Sequence, residues 1–279
     1  MGSGGQRSIK KRPLAAVAAK QQSNLDKFVA LTDSQKGQEV TATLRKSPAR
    51  RLVSGGQNMY ETPFQKFANV SGYDDKPTIV DDAAMDNMPG IEVYRTVNSS
   101  RNISAMDIAN QIGSDDICLY NTAGGGQAMG KGLYVTPSIT GSMNYGNDAH
   151  DPRTGIMRFK IKDSAKIINY SDLKNQFDAE ARTPGTLASE IKWQCRIADH
   201  DSRYGHISNA QAIWALAKGY SVVTQAHGHD QKSLRAALAN GGDQYTTILN
   251  RGALYMSKTV KEVDFRSPWK RLAKNADLK

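Results

Sequence analysis

Cysteine is almost missing from this chain, which has only Cys118 and Cys195. A disulfide framework is therefore not what holds the fold, and a reducing compartment is the default environment. No stretch approaches the roughly 20 consecutive apolar residues that a membrane-spanning helix needs. A classical signal peptide is lacking too, since residues 13–19 are short, Ala-rich and followed at once by Lys20, Gln21 and Gln22. Gly2 is followed by Gln6 where N-myristoylation wants Ser or Thr, so lipidation is discounted. There is no Walker motif. There is no Rossmann fingerprint either, because the Gly-rich run precedes a strand pattern rather than opening a helix.

What is present divides unevenly. Of the formal charge of +10, residues 1–55 carry +8, from eleven Lys and Arg against Asp26, Asp33 and Glu39. The remaining residues are close to balanced, so the basicity belongs to the N-terminal segment and is no evidence for a nucleic-acid enzyme. That segment is rich in Gln, Ser, Lys and Arg, and Phe28 is its only aromatic. Such a composition buries too little apolar surface to offset its ordering entropy, so residues 1–58 read as a disordered basic tail. A short amphipathic helix at 23–31 is compatible with that reading. The tail reads first as a secretion or targeting segment. A nucleic-acid arm, a membrane-surface arm, a partner-binding segment and a solvated linker stay open beside it. Polyanion attraction would be salt-sensitive, yet no aromatics are interleaved with the charges to stack on bases.

From Met59 the composition changes, with Tyr60, Phe64, Phe67 and Tyr73 arriving together, and residues 59–279 read as one domain. Residues 74–90 look like a loop-rich approach to the first core strand. Strand patterns follow at 91–97, 133–136, 156–161, 220–224, 245–249 and 253–257, the last two joined by the turn Asn250-Arg251-Gly252. Residues 165–168 continue the sheet or turn back, and 140–145 offer a turn or two of helix. Helical spacing covers 104–112, with Ser104 as N-cap and Gly113 as stop, and again 208–217, with Ser208 as cap and Gly219 as stop. Closely spaced strands predict an α+β fold with a mainly antiparallel sheet.

The informative stretch is Gly130-Lys131-Gly132-Leu133-Tyr134-Val135-Thr136, followed by Ser142 and Tyr145. The glycines let a ligand approach the backbone, and Tyr134 stands on one wall of a cleft with Tyr145 across from it. Two such rings sandwich a flat heteroaromatic group, and the Ser142 hydroxyl is in reach of its amide. The same pattern occurs in ordinary edge strands, where the tyrosine is a half-buried core residue.

Position by position, Lys131-Gly132-Leu133-Tyr134, Ser142 and Tyr145 resemble the nicotinamide-stacking motif of poly(ADP-ribose) polymerases and their relatives. Glu92-Val93-Tyr94-Arg95-Thr96-Val97 resembles the first motif of that superfamily, whose His or Arg opens the NAD site. Lys218-Gly219-Tyr220, Gly242-Asp243-Gln244-Tyr245 and Ile248-Leu249-Asn250 resemble its closing pattern. The likeness spans residues 92–256, and the middle block is its specific part. It implies a split antiparallel β-sheet core with flanking helices and NAD as substrate. It also implies NAD contacts from Arg95, Thr96, Gly132, Tyr134, Ser142 and Tyr145, with Arg95 and Gln244 at the catalytic positions.

Transfer of ADP-ribose breaks the nicotinamide–ribose bond, and positive charge builds on the ribose as in glycoside cleavage. The family's usual answer is a Glu that stabilises this developing cation. The matching residue here is Gln244, whose amide holds a ribose hydroxyl but supplies no charge. On a strand, Asp243 points to the opposite face. Arg95 suits a pyrophosphate or ribose contact; the alternative is a surface Arg at a strand end. His227-Gly228-His229 lack further ligands nearby, so no metal is expected. His200 and His206 line the acceptor side of the cleft or face water, and Cys118 and Cys195 read as small buried hydrophobes.

The resemblance thus implies mono-ADP-ribosyl transfer to a protein, with a layout like that of secreted bacterial effectors or toxins acting in a host cell. Residence in the cytoplasm is the other location it allows. An inactive relative that captures a peptide or nucleotide in the same cleft is the alternative. A nucleic-acid-modifying member ranks below both.

Overall fold

The computed structural model describes residues 76–98, 104–114, 129–130, 132–143, 153–198, 205–241 and 245–264, with residues 35, 37–39, 42, 51–54 and 57–60. In chain order, β1 (Arg51–Ser54) and β2 (Gln57–Tyr60) form an antiparallel pair. Then come β3 (Thr78–Val80), α1 (Asp82–Asn87), β4 (Ile91–Asn98), α2 (Ala105–Gly113), β5 (Leu133–Val135) and α3 (Ile139–Met143). They are followed by β6 (Arg153–Ile161), β7 (Ile167–Asn169), α4 (Tyr170–Glu180), α5 (Leu187–Ala198) and α6 (Gly205–Ala217). The chain continues with β8 (Val222–Thr224), α7 (Gln231–Ala239), β9 (Thr246–Ile248), a 3₁₀ turn (Arg251–Ala253) and β10 (Leu254–Asp264).

The fold is α+β, built on two four-stranded sheets with orders β3-β10-β6-β4 and β5-β9-β8-β7. Both are mixed rather than wholly antiparallel, because β3 runs parallel to β10 and β7 parallel to β8. Among the described residues the sheets meet at one bridge, between Tyr94 of β4 and Thr136, just past β5. On β4, Ile91, Val93 and Val97 enter the core and share it with Ala105, Ala109 and Ile112 of α2. Period-two alternation turns Glu92, Tyr94 and Thr96 to the opposite face. In the second sheet β7, β8 and β9 are buried along their whole length, and Leu173, Phe177 and Ile191 from α4 and α5 join the same core as Ile213 and Trp214 of α6.

Several local expectations hold. Ser104 caps α2 in a reciprocal capping box with Asp107, and Gly219 ends the α6 region at φ +84°. Others need correction. Ser208 is not a cap, since α6 begins a turn earlier at Gly205. Residues 78–87 are a strand and a helix rather than loop. The helix is anchored by tertiary ties that no local pattern announces: Lys160 Nζ donates to the carbonyls of Asp86 and Met88, and Asp82 accepts from Ser257 and Thr259. A few residues of the basic N-terminal segment lie among the described ones. Residues 35, 37–39 and 42 are helical, and Gly37 is buried where an added Cβ would sit 3.2 Å from Glu190 Cγ of α5. The helix expected at 23–31 lies outside the described residues.

Arg251 clasps the 3₁₀ turn to α2. Its side chain is 2% exposed, and Nη1 donates to the carbonyl oxygens of Ile112 (2.8 Å) and Ser114 (3.0 Å), supplying donors where the helix end has none of its own. Replacing it by Met strips those carbonyls of a partner inside the core. Arg251→Met should lower unfolding free energy by about 2 kcal/mol or more in urea titrations, with Arg251→Lys recovering only part because the fork is lost.

Candidate functional site

The junction of the two sheets assembles most of the residues singled out from sequence. Reciprocal backbone hydrogen bonds, Tyr94 N to Thr136 O at 2.7 Å and Thr136 N to Tyr94 O at 2.9 Å, hold β4 against the end of β5. One residue further along β4, Arg95 reaches across and donates from Nη1 to the Tyr134 carbonyl at 3.0 Å. The next, Thr96, turns to the opposite face, where its hydroxyl lies 2.6 Å from that of Ser142 in α3. Both are buried.

Glycines shape the approach to β5. At Gly130, φ is +84° and a Cβ would come 2.5 Å from the Ser208 carbonyl of α6. At Gly132 a Cβ would collide with Thr247 Cγ2 at 2.5 Å and with the Ile248 carbonyl at 2.7 Å. Both glycines thus sit where the chain packs too closely for a Cβ. Tyr134 is half-buried and folds back over this loop: its hydroxyl donates to Gly130 O (2.8 Å) and accepts from Met129 N–H (3.0 Å). Burial raises its pKa above the ordinary tyrosine value.

Arg95 is the electrostatic feature of the site. No carboxylate pairs with it among the described residues, and its Nε is sealed from solvent without a hydrogen-bond partner. Burial lowers its pKa to about 10. Because the folded value lies below the unfolded one, the unfolded chain holds the proton more tightly. The penalty is therefore fully present at neutral pH and relieved only as pH rises past about 10. A buried cation with one donor unused is an incomplete arrangement that an anionic ligand would complete.

Tyr145 and Gln244 lie outside the described residues, as do Asp243, Lys131 and the side chain of Cys195. The chain enters β9 at Thr246, opposite Val135 of β5, two residues after Gln244. Among the described residues no group of three His, Cys, Asp or Glu side chains has metal-holding geometry, and no helix is long and apolar enough to cross a membrane. His229 stands on the surface 3.3 Å from Asp172.

Sequence reasoning missed a second polar array on the face of β4 that Glu92 and Tyr94 share with Thr96. Arg158 of β6 grips Glu92 with two hydrogen bonds (2.7 and 2.9 Å) and Asp86 of α1 at 2.6 Å, while the Tyr94 hydroxyl donates to Glu92. Burial pushes the Glu92 carboxyl upward, but Arg158 and Tyr94 outweigh it and hold it below the ordinary carboxylate range. The only signal in the sequence was the alternation Glu92-x-Tyr94 opposite Arg158, invisible without the strand register. Beside this array a cavity of about 610 Å³ opens between α1 and α3.

No protein-family model, curated protein or solved structure matches this chain. The functional reading therefore stands on the residues themselves.

Two measurements probe the site without reference to any ligand. Arg95→Met should leave stability at pH 7 unchanged or raise it by about 1 kcal/mol, since a buried unpaired charge is removed; a loss of 2 kcal/mol or more in denaturant titration would mean the guanidinium is satisfied. For the hydroxyl pair, Thr96→Val should cost about 1–2 kcal/mol by stranding Ser142. The Thr96→Val/Ser142→Ala double variant should regain part of that loss, giving a non-zero coupling energy in a double-mutant cycle.

Proposed function

We propose that this protein binds NAD at the β4–β5 junction and transfers a single ADP-ribose to a protein. The observation that carries the reading is Arg95: an unneutralised guanidinium with a buried free donor, one residue from the Tyr94–Thr136 bridge, bonded to the Tyr134 carbonyl and next in sequence to Thr96, which pairs with Ser142. A pyrophosphate supplies the charge such a group lacks, and the resemblance to ADP-ribosyltransferases names the same residue as the NAD contact. The Ser142 hydroxyl, paired with Thr96, keeps acceptor capacity for a carboxamide N–H whichever of the two donates. In the reaction the N-glycosidic bond breaks, nicotinamide leaves with the bonding electron pair, and a nucleophile of the target protein bonds to the ribose C1 carbon and gives up its proton. Chain elongation is not proposed, because Gln244 stands where the family's Glu supplies charge to the ribosyl cation. Delivery into a host cell is the layout reading of the basic N-terminal segment, and it belongs to the same proposal.

Gln244 also favours the second reading, an ADP-ribosyltransferase-like cleft that binds a peptide or nucleotide without turnover. Incubation with labelled NAD and a cell lysate separates the two. Transfer of label by the wild type, lost in both Tyr145→Ala and Arg95→Ala, is the expected result. Retention in both variants would rule out this site. NAD binding without transfer or NAD hydrolysis would select the silent form. Gln244→Glu should speed NAD hydrolysis about tenfold or more if position 244 faces the ribose, given the worth of one transition-state charge contact; an unchanged rate places it elsewhere.

A further inference from the structure

Gly37 has no side chain, and its surroundings leave almost no room for one. It lies in helical backbone with residues 35, 38, 39 and 42, and it alone among them is buried. A Cβ added to it would sit 3.2 Å from Glu190 Cγ, 3.3 Å from Glu190 Cβ and 3.3 Å from Leu187 Cα, all on α5. Those separations are shorter than ordinary van der Waals contact, so the helical backbone rests on α5 at the distance a bare glycine permits. One wall of the slot is the Glu190 stem. Its floor is the α5 main chain, which Leu187, Ala188 and Ile191 pin to the core, so the floor cannot retreat. The footprint is small as well. Gln35, Gln38 and Glu39 are exposed, Ala42 is half-buried, and Trp193, three residues beyond Glu190, is 54% exposed. Little apolar area is buried among these residues, so fit rather than hydrophobic gain holds the contact, and it opens at low cost.

We propose that α5 is a docking site for the chain's own N-terminal segment, with Gly37 as the residue that specifies the seat. Helices approach as closely as the side chains at their crossing allow. Here the crossing sets a glycine against the turn of α5 that carries Leu187 and Glu190. The seat divides the basic segment. Residues 1–34, with six Lys and Arg against Asp26 and Asp33, are tethered to the domain at α5 and not only through the chain leading to β1. Undocking returns them to the longer tether, and the span of a flexible chain grows with its length. The state of one glycine contact therefore sets how far the basic arm reaches. This docking does not rest on the nucleotide reading.

The test is trypsin cleavage of the full chain at the Lys36–Gly37 bond, followed by mass spectrometry under native conditions. A protease needs extended chain, so this bond is cut from the undocked state and its rate reports the undocked population. In the wild type it should be cut about tenfold or more slowly than in a free peptide of residues 31–42. Gly37→Leu, normalised to a peptide with the same change, should raise the rate about tenfold or more. Glu190→Trp fills the slot from the α5 side without altering the cleaved sequence, and should have the same effect. Gly37→Ala requires its neighbours to give by only a few tenths of an ångström and should fall between. Urea midpoints of all variants should match the wild type, because the core is untouched. Wild-type cleavage as fast as that of the free peptide would overturn the inference, as would slow cleavage persisting in folded Gly37→Leu and Glu190→Trp variants.

Discussion

Two hydrogen bonds between Tyr94 and Thr136 are the constraint on which the rest of the structure depends. Without them there are two separate sheets, each with its own core contribution and no shared edge. With them, successive residues of one strand serve different places. Arg95 extends toward β5, Thr96 turns to α3, and Glu92 and Tyr94 face the cavity. A one-residue slip of this bridge would invert every one of those assignments, because side chains on a strand alternate faces.

Three arginines, one buried and two half-buried, show how differently this chain handles a guanidinium. Arg158 spends its whole fork on two carboxylates, and the Glu92 bonds hold it more firmly protonated than usual. Arg251 meets carbonyl dipoles at a helix end. Arg95 has one carbonyl and a stranded Nε. The first two arrangements are complete in themselves and need no function to explain them. The third is not, and buried polar groups are satisfied so regularly that an exception calls for a reason.

What could be read from the sequence follows the strength of local signals. β4 and β6 carry clear apolar alternation, and α2 announces itself through Ser104 and its apolar spacing, so these were visible. The helices α4 and α5 were not. α4 buries only Leu173 and Phe177 among mostly polar neighbours, and its start rests on Asn169, whose side chain accepts from Ser171 N–H. α1 buries Met85 alone and depends on Lys160 and β10 for its place. Of the residues singled out in the sequence, Arg95 meets the Tyr134 carbonyl and Thr96 meets Ser142, on opposite faces of β4. This bonding was not legible, because the Thr96–Ser142 pairing and the inward fold of the Tyr134 hydroxyl depend on register and on glycine-permitted packing. The parallel pairs escaped notice for a similar reason: nothing local distinguishes a strand that will lie beside a partner far away in the chain.

That distance matters for how the molecule comes into being. β3 pairs with β10, with nearly the whole domain between them in sequence, and β10 also holds β6. A nascent chain emerging from the ribosome therefore carries β3, β4 and β6 with an unfilled lane in the first sheet until β10 arrives. Closing so long a loop is entropically slow. The early strands must meanwhile be shielded from pairing with other chains, and synthesis of β10 becomes the moment at which this sheet first closes.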